Sequence, residues 1–301
     1  MKTVRTIAEL REELAPHRCT ESCIGLVPTM GAFHEGHLSL IRRARADCDL
    51  VVVSLFVNPA QFAPSEDLAT YPRDEARDAA LAADLGADIL FAPPVEEVYP
   101  DGFATTVAVA GLSETLEGSA RGAEHFSGVT TVVAKLLNMV APDVAFCGQK
   151  DAQQALVIER MAHDLDFEVE IVVCPTVREP DGLAMSSRNA YLDPADRRRA
   201  PALRRALDAA EAAVAGGERD PRRVVAAARG AMEPFGVEPE YLEIVATDTL
   251  APVEAIEDEV LVAVAATVGR ARLIDNTTVR VSAPVAPAAR TTDTREITCN
   301  A

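Results

Sequence analysis

The chain has 301 residues, 49% of them hydrophobic and 25% charged, which is the composition of a soluble globular protein with one large or two modest domains. Its net charge of −18 argues against general nucleic-acid binding, so any anionic substrate needs a locally basic site. No apolar run is long enough to span a membrane, and the acidic amino terminus lacks the core of a signal peptide. The six scattered cysteines lack zinc or disulfide spacing, so we expect a cytoplasmic protein with free thiols.

Strand-like and helix-like patterns alternate through the first 176 residues. Thr6 and Glu9 have the spacing of a capping box, which predicts a short first helix. The predicted strands lie at residues 24–27, 50–57, 88–91, 144–147 and 168–173. The predicted helices lie near residues 38–47, 74–85, 127–140 and 151–165. The β-branched start of residues 127–140 also suits a strand. Such alternation is typical of an α/β fold, here a Rossmann-like parallel sheet with helices on both faces.

The composition changes near residue 176, where we place a domain boundary. A loop rich in proline leads to further patterns, with helices near 194–215 and 221–232 and strands near 241–245, 260–268 and 271–275. We therefore predict a ligand-binding domain over residues 1–176 and a smaller α+β domain over residues 177–283. Residues 284–301 read as a flexible tail.

The most informative segment is residues 28–37, Pro-Thr-Met-Gly-Ala-Phe-His-Glu-Gly-His, which joins a predicted strand to a predicted helix. Glycines at such a junction leave backbone N–H groups and the positive end of a helix at one point, a ready site for phosphate. His34 and His37 lie at the same point, and their imidazoles can donate hydrogen bonds that strengthen as phosphate oxygens gain charge. Taken alone, the segment also fits a glycine turn with two surface histidines.

Three related motifs do not fit this segment. Gly31 and Gly36 have the spacing of a P-loop, but His37 and Leu38 stand where lysine and a hydroxyl residue are required. The two histidines form His-Glu-x-His, which is one residue shorter than the His-Glu-x-x-His motif of the zinc-protease helix. No Gly-x-Gly-x-x-Gly follows a predicted strand, which weakens the case for a dinucleotide-dependent dehydrogenase.

A second strand–glycine–helix junction, residues 143–151, carries Lys150. Parallel sheets bind ligands at the carboxyl ends of their strands, so Lys150 should face the same crevice as the histidines. Lysine is rare in this arginine-rich chain, which favours a place that needs a compact ammonium, such as a nucleotide phosphate. The alternative is a Lys–Asp pair on the surface. Gln153 and Gln154 follow, and one of them can offer polar contacts to a substrate.

Two more segments complete the candidate site. Residues 181–189 place two hydroxyls and a guanidinium in a loop at the domain junction, where they can wrap a triphosphate. Ser-Ser-Arg is also common in ordinary surface loops. Gln61 follows the most buried strand and should also lie at a strand carboxyl end, although a simple turn residue is the alternative.

Together these segments resemble one family, the pantothenate synthetases or pantoate–β-alanine ligases. The matching pieces are PTMGAFHEGH, SLFVNPAQF with the later TYPRD, GQKDAQQ and VREPDGLAMSSRNAYL. Weaker echoes are FAPPVEEVYPDG, HFSGVTTVV, YLEIV and RLIDN. The likeness spans residues 3–280. The family belongs to the nucleotidyl transferases with a His-x-Gly-His signature, and their Lys-Met-Ser-Lys-Ser-like loop is replaced here by residues 185–188.

The resemblance implies an ATP-dependent ligation in two steps. The pantoate carboxylate attacks the α-phosphorus of ATP to give pantoyl adenylate and pyrophosphate, and the β-alanine amine then expels AMP to give pantothenate. Catalytic roles are implied for His34, His37 and Lys150, and pantoate binding for Gln61 and Gln154. ATP contacts are implied for Met30, Gly31, His34, Gly36, His37, Gly148, Lys150, Asp151, Val177, Met185, Ser186, Ser187 and Arg188. The family also implies Mg²⁺ held mainly by the triphosphate, a homodimer, and a second domain that acts as a lid.

The chain departs from the family pattern near the second junction. Gln149 stands where the family usually has glutamate, Cys147 replaces an aromatic or small neighbour, and Ala152 stands where an aromatic is common. One extra residue between Arg121 and His125 leaves Arg121 without an assigned role. None of these changes replaces a residue implied to bind the phosphates. We therefore expect them to alter the shape of the pocket and the reaction rate.

Two other functions remain open from the sequence. The nearer is a nucleotidyl transferase that keeps its dinucleotide product, as an adenylyltransferase of coenzyme precursors does. The paired glutamines argue against that function. The farther is a non-catalytic ATP-binding protein, which the full set of phosphate ligands disfavours.

Overall fold

The computed structural model of the chain describes residues 1–20, 22–62 and 67–281. Its larger sheet has six strands, and every neighbouring pair is parallel. The strands are β1 (Lys2–Val4), β2 (Ile24–Thr29), β3 (Leu50–Leu55), β4 (Ile89–Phe91), β5 (Val144–Gly148) and β6 (Glu170–Cys174). The five predicted strands are confirmed. The edge strand β1 was not predicted, because three residues are too few to show a periodic pattern.

Helices connect these strands. They are α1 (Ile7–Arg18), α2 (Glu35–Asp47), α3 (Glu75–Asp84), α4 (Val95–Val98), α5 (Glu117–Arg121), α6 (Ala123–Val140) and α7 (Ala152–Asp164). The predicted capping box is present, since the Thr6 side chain accepts the Glu9 N–H. The ambiguous segment 127–140 is helical, and α2 begins at Glu35 rather than at residue 38, so His37 lies in its first turn. Within the described residues, no helix is both long and apolar enough to cross a membrane.

Alternate residues of the buried strands join two separate hydrophobic clusters. Leu26 and Val52 pack with residues of α1, α6 and α7 on one face. Val27, Val51 and Val53 pack with residues of α2 and α3 on the other face. A strand buried on both faces has a continuous apolar sequence, which explains why this pattern does not alternate. The predicted Rossmann-like sheet with helices on both faces is confirmed.

The order of the strands, β1-β4-β3-β2-β5-β6, reverses direction at β2. From β2 the chain moves through β3 and β4 on one side, whereas β5 and β6 lie on the other. The carboxyl ends of β2 and β5 therefore border the crevice in which open parallel sheets bind their ligands. Because β2 leads into His34 and β5 leads into Lys150, the topology brings these two residues to one crevice.

The chain after β6 forms a smaller unit with its own sheet. Its elements are α8 (Pro194–Arg199), α9 (Ala202–Ala215), α10 (Pro221–Met232), β7 (Tyr241–Ala246), β8 (Glu259–Val268) and β9 (Ala271–Arg280). The three strands are antiparallel, with β8 in the centre, and they pack on α9 and α10. The predicted helix 194–215 is two helices, because Pro201 lacks the N–H that would continue the first. The domain division at residues 176 and 177 stays a prediction, and the predicted tail, 284–301, lies outside the described residues.

Candidate active site

A buried carboxylate holds the turn between β2 and α2. Gly31 has a φ of 87° and Ala32 a φ of 54°, so the backbone turns through the left-handed region. Asp78 of α3, only 1% exposed, accepts the N–H of Ala32 at 2.7 Å and that of Phe33 at 2.8 Å. These contacts fix the path of the chain just before His34.

His34 and His37 lie side by side at the start of α2, with ring centroids 4.2 Å apart. The Gly36 N–H donates to Nδ1 of His34 at 3.1 Å, and the His34 N–H donates to Nδ1 of His37 at 3.4 Å. Because each Nδ1 is an acceptor, each neutral ring carries its proton on Nε2. Burial, and then the charge of Lys150, lowers the pKa of His34 to about 4. Burial, and then His34, lowers the pKa of His37 to about 3, so both rings are neutral donors at pH 7.

Lys150 follows β5 on a short 3₁₀ turn, Gln149–Asp151. Its Nζ lies 3.3 Å from Oδ1 of Asp151, and its side chain is 19% exposed. Burial opposes ionisation of Asp151, but the charges of Lys150 and then Arg188 outweigh it and lower the pKa of that carboxyl. Lys150 therefore reaches the crevice as part of a small charged group that also influences His34.

Residues 181–189, which were predicted to wrap a triphosphate and are called the phosphate loop below, also reach this crevice. The hydroxyl of Ser186 accepts the Arg188 N–H at 3.3 Å and starts a second 3₁₀ turn. Arg197 of α8 fixes the base of the loop through ion pairs with Glu179 at 2.6 Å and Asp181 at 2.5 Å. The loop is thus anchored to the smaller unit, while Ser186, Ser187 and Arg188 line the cavity.

Gln61 is held by two buried neighbours. Nδ2 of Asn58, a residue 1% exposed, donates to Oε1 of Gln61 and to the carbonyl of Gly128, both at 3.0 Å. Nδ1 of His125 lies 2.8 Å from the Gln61 carbonyl, and its Nε2 lies 2.9 Å from Arg121. Arginine cannot accept a hydrogen bond, so the proton of neutral His125 lies on Nδ1. The bond from Asn58 fixes the orientation of the Gln61 amide, which can still offer its nitrogen as a donor and a second lone pair of Oε1 as an acceptor.

The two glutamines at the start of α7 have different surroundings. Gln153 is 5% exposed, accepts the N–H of Glu117 at 2.9 Å, and donates to the carbonyls of Leu112 at 2.7 Å and Thr115 at 2.8 Å. Its amide is therefore used in holding the 112–117 segment. Gln154 is half-buried, so it is the glutamine with an amide available to a ligand.

A cavity of about 570 Å³ brings these segments together, within the range of roughly 300–1,000 Å³ usual for small-molecule sites. The predicted site residues in its lining are Met30, His34, Gly36, His37, Gln61, Gly148, Lys150, Asp151, Gln154, Val177, Met185, Ser186, Ser187 and Arg188. Gly31 does not line the cavity and instead forms the turn before His34.

Three buried polar residues that support the site were missed in the sequence. Asp78 lies on the apolar face of α3, four residues before the buried Ala82, and an acid in that pattern was the available signal. Asn58 lies three residues after β3, and that position does not show that its amide holds Gln61. Asn276 ends the RLIDN segment and donates to the carbonyls of Gln149 and Lys150, both at 2.9 Å.

Charged contacts also join α5 to the smaller sheet along the cavity wall. Glu117 accepts from the hydroxyl of Tyr241 at 2.9 Å and from both terminal nitrogens of Arg272, at 2.7 and 2.8 Å. Arg272 also donates to Glu240 at 2.7 Å. Glu117 precedes the segment with the extra residue, so the insertion leaves this contact in place.

Known proteins similar in sequence belong to one enzyme family. Residues 2–278 match the family model described as pantoate-beta-alanine ligase. The chain is 53% identical over 287 residues to the pantothenate synthetase of Moorella thermoacetica. This alignment covers 94% of this chain and 100% of that protein. It is 52% identical over 278 residues to the pantothenate synthetase of Thermotoga neapolitana, and this alignment covers 92% of this chain and 99% of the relative.

Solved structures give the same result. Pantothenate synthetase from Thermus thermophilus superposes with a TM-score of 0.88 at 48% identity, over 92% of this chain and 99% of that one. Pantoate-beta-alanine ligase from Francisella tularensis superposes with a TM-score of 0.76 at 32% identity, over 92% and 97% of the two chains. These likenesses favour the ligase over an adenylyltransferase or a non-catalytic ATP-binding protein. The chain belongs to the pantoate–β-alanine ligase family, enzymes that join pantoate to β-alanine at the expense of ATP.

Proposed function

We propose that this enzyme makes pantothenate through a pantoyl-adenylate intermediate. A carboxylate oxygen of pantoate attacks the α-phosphorus of ATP, and the bond to the bridging oxygen breaks as pyrophosphate leaves. The amine nitrogen of β-alanine then attacks the acyl carbon of the adenylate. The bond from that carbon to the AMP oxygen breaks, and the amine loses a proton to solvent.

The observation that carries this proposal is the group of donors around one cavity at the switch point of the sheet. Lys150 and Arg188 bring positive charge, and His34 and His37 bring neutral Nε2–H donors. Attack at the α-phosphorus builds negative charge on the phosphate oxygens and on the leaving pyrophosphate. Fixed donors at that position stabilise the transition state more than the ground state. Ser186 and Ser187 would add hydroxyl donors on the same side.

Pantoate would lie against Gln61 and Gln154. Gln61 lines the cavity, and the Asn58 amide holds its Oε1, so its Nε2 would serve as a donor to a carboxylate or hydroxyl oxygen. Gln154 provides both an acceptor and donors. Holding the carboxylate in line with the α-phosphorus makes the attack effectively intramolecular, which is a major source of rate acceleration. The Francisella tularensis ligase was solved with β-γ ATP and β-alanine, which supports the same ligand set here.

Magnesium would enter with the triphosphate. Among the described residues, no three His, Cys, Asp or Glu side chains lie close enough to form a metal site. Mg²⁺ commonly keeps several waters and is bound by substrate phosphates and few protein groups, so the donor set fits a phosphate-bound ion. Mg²⁺ would supply charge neutralisation to the triphosphate, and Lys150 and Arg188 would still contact the oxygens that develop charge.

We further propose a homodimer, a cytoplasmic location and a lid role for residues 177–283. The likeness to the family supports the dimer. The cysteines of the described residues are free thiols, which suits a reducing compartment. The phosphate loop is anchored to α8 through Arg197, so movement of the smaller unit would carry Arg188 toward or away from Lys150. Sedimentation of the purified chain at micromolar concentration tests the dimer.

The decisive experiment follows pyrophosphate and AMP separately. Pantoate and ATP alone should release pyrophosphate, up to one equivalent per site, and AMP should appear only after β-alanine is added. Pantoate labelled with ¹⁸O in its carboxylate should transfer one labelled oxygen to AMP. Formation of ADP and phosphate, or AMP without label, would exclude the adenylate.

A further inference from the structure

Asn276, on β9 of the smaller sheet, makes three hydrogen bonds with the turn that carries Lys150. Its Nδ2 donates to the carbonyls of Gln149 and Lys150, both at 2.9 Å. Its Oδ1 accepts from Nε2 of Gln149 at 3.2 Å. The residue is 5% exposed, so water cannot easily replace these contacts.

The neighbouring residue on β9 fixes Asn276 in turn. Oδ1 of Asp275 accepts the backbone N–H of Asn276 at 2.8 Å. The same carboxylate, 2% exposed, receives both terminal nitrogens of Arg178, at 2.6 and 3.0 Å. Arg178 also donates to the carbonyl of Gly182 at 3.1 Å, at the base of the phosphate loop. Two adjacent residues on β9 thus contact both segments that bring cations to the cavity.

We propose that Asn276 is a positioning residue, which sets the orientation of Lys150 from the smaller sheet. The inference rests on the proposed role of Lys150 at the phosphates. The two carbonyls that Asn276 binds lie on either side of the Lys150 backbone, so they fix both peptide planes and the direction in which its side chain leaves the turn. The Asn276 orientation is itself defined, because two carbonyls need its nitrogen and leave its oxygen for Gln149.

This arrangement also gives Gln149 a function. A glutamine at this place can donate to Oδ1 of Asn276, whereas a carboxylate would place oxygen against oxygen. The amide pair therefore locks the turn in this chain, in the position where the resemblance leads one to expect glutamate. A misplacement of about 1 Å in a reacting constellation can reduce the rate by roughly 10²-fold, so a small rotation of the turn is enough to be measured.

Two groups of variants test the proposal, and both are assayed as pyrophosphate release at saturating ATP. Asn276→Ala should lower kcat by roughly 10-fold or more with the KM for pantoate within about 2-fold, since it moves Lys150 and not the pantoate ligands. Thr277→Val is the matched control, because this neighbour on β9 donates to Glu211 and does not line the cavity. It removes a hydrogen bond from the same strand and should keep kcat.

The deciding measurement is a double-mutant cycle with Lys150→Ala. If Asn276 acts through Lys150, Asn276→Ala should cause little further loss of kcat in the Lys150→Ala background. Equal losses in both backgrounds, an unchanged kcat, or an equal loss in Thr277→Val would overturn the proposal. Gln149→Ala, which leaves β9 intact, replaces Asn276→Ala in the cycle if that variant does not fold. Full activity of Lys150→Ala alone would instead refute the proposed role of Lys150.

Discussion

The carboxylate of Asp78 binds the N–H groups of Ala32 and Phe33 at 2.7 and 2.8 Å and so links α3 to the loop that ends at His34. Both amides lie in a turn with left-handed backbone, which no regular ladder satisfies. Asp78 is thus the partner that makes this turn possible. It does not line the cavity, so its contribution to activity must pass through the position of the histidines.

Asp78→Ala should destabilise the protein and also slow adenylate formation. It leaves two N–H groups without their acceptor, and hydrogen bonds to charged groups contribute about 1.5–3 kcal/mol each, so we expect a loss of roughly 3–6 kcal/mol. Asp78→Asn retains one acceptor oxygen, so its stability and its rate should lie between those of Asp78→Ala and the unmodified protein. Urea unfolding and pyrophosphate release measure the two effects. Asp84→Ala, which removes an exposed acid from the same helix, is the control. Equal stability of Asp78→Ala and Asp84→Ala would contradict the role of the turn.

His34→Ala and His37→Ala should each reduce pyrophosphate release by roughly 10²-fold or more, the order seen when one preorganised transition-state donor is removed. The KM for pantoate should change little, because the rings face the phosphates. His163→Ala is the control, since that side chain is 83% exposed and does not line the cavity. Near-full activity of either variant would mean that its ring has no part in the reaction.

The same histidines predict how stability depends on pH. Their pKa values are lowered from 6.5 to about 4 and about 3, so between pH 6.5 and 4 the unfolded chain binds protons that the folded chain does not. Stability must therefore fall on acidification through this window. Each ring should account for about 1–2 kcal/mol between pH 7.5 and pH 5. Denaturant unfolding at these two pH values should show a smaller decrease for His37→Ala than for the unmodified protein. An identical decrease would show that His37 titrates normally.

The sequence predicted the main site residues that follow strands, but it missed Asn58 beside Gln61 and two supporting residues that reach the site from elsewhere in the fold. His34, Lys150 and Gln61 follow buried apolar runs, and parallel topology brings such ends together. Asp78 and Asn276 come from a helix and from a strand of a different sheet. Their roles depend on tertiary contacts with backbone groups, which leave no periodic signal in the chain.

The extent of the elements was less predictable than their existence. The start of α2 was placed at Leu38, because the apolar pattern begins there, whereas His34 caps the helix with an imidazole nitrogen. This cap is uncommon, since serine, threonine, aspartate and asparagine are the usual N-caps. The division between α8 and α9 had a signal in Pro201, which the strong helical composition on both sides obscured.

Gly128→Ala should weaken the pantoate site. A Cβ at Gly128 would lie 2.2 Å from the carbonyl oxygen of Ala60, so α6 could not stay against the turn that carries Gln61. The Asn58 bond to the Gly128 carbonyl would be strained by the same displacement. We expect a higher KM for pantoate and lower stability. Gly230→Ala on α10, where a Cβ meets nothing within 4 Å, should be stabilised by about 1 kcal/mol and keep its KM. An unchanged KM in Gly128→Ala would show that the turn can adjust.

Lys150 gives the sharpest test of the electrostatic mechanism. Its ammonium lies 3.3 Å from Asp151, and the side chain is 19% exposed. Lys150→Ala should lower turnover far more than it weakens binding of a preformed pantoyl-adenylate analogue, because the missing charge matters most as pyrophosphate leaves. Lys150→Arg should restore little activity, since a planar guanidinium cannot replace a compact ammonium on this turn. Turnover at saturating ATP decides the question, and full activity of the arginine variant would show that positive charge alone is sufficient.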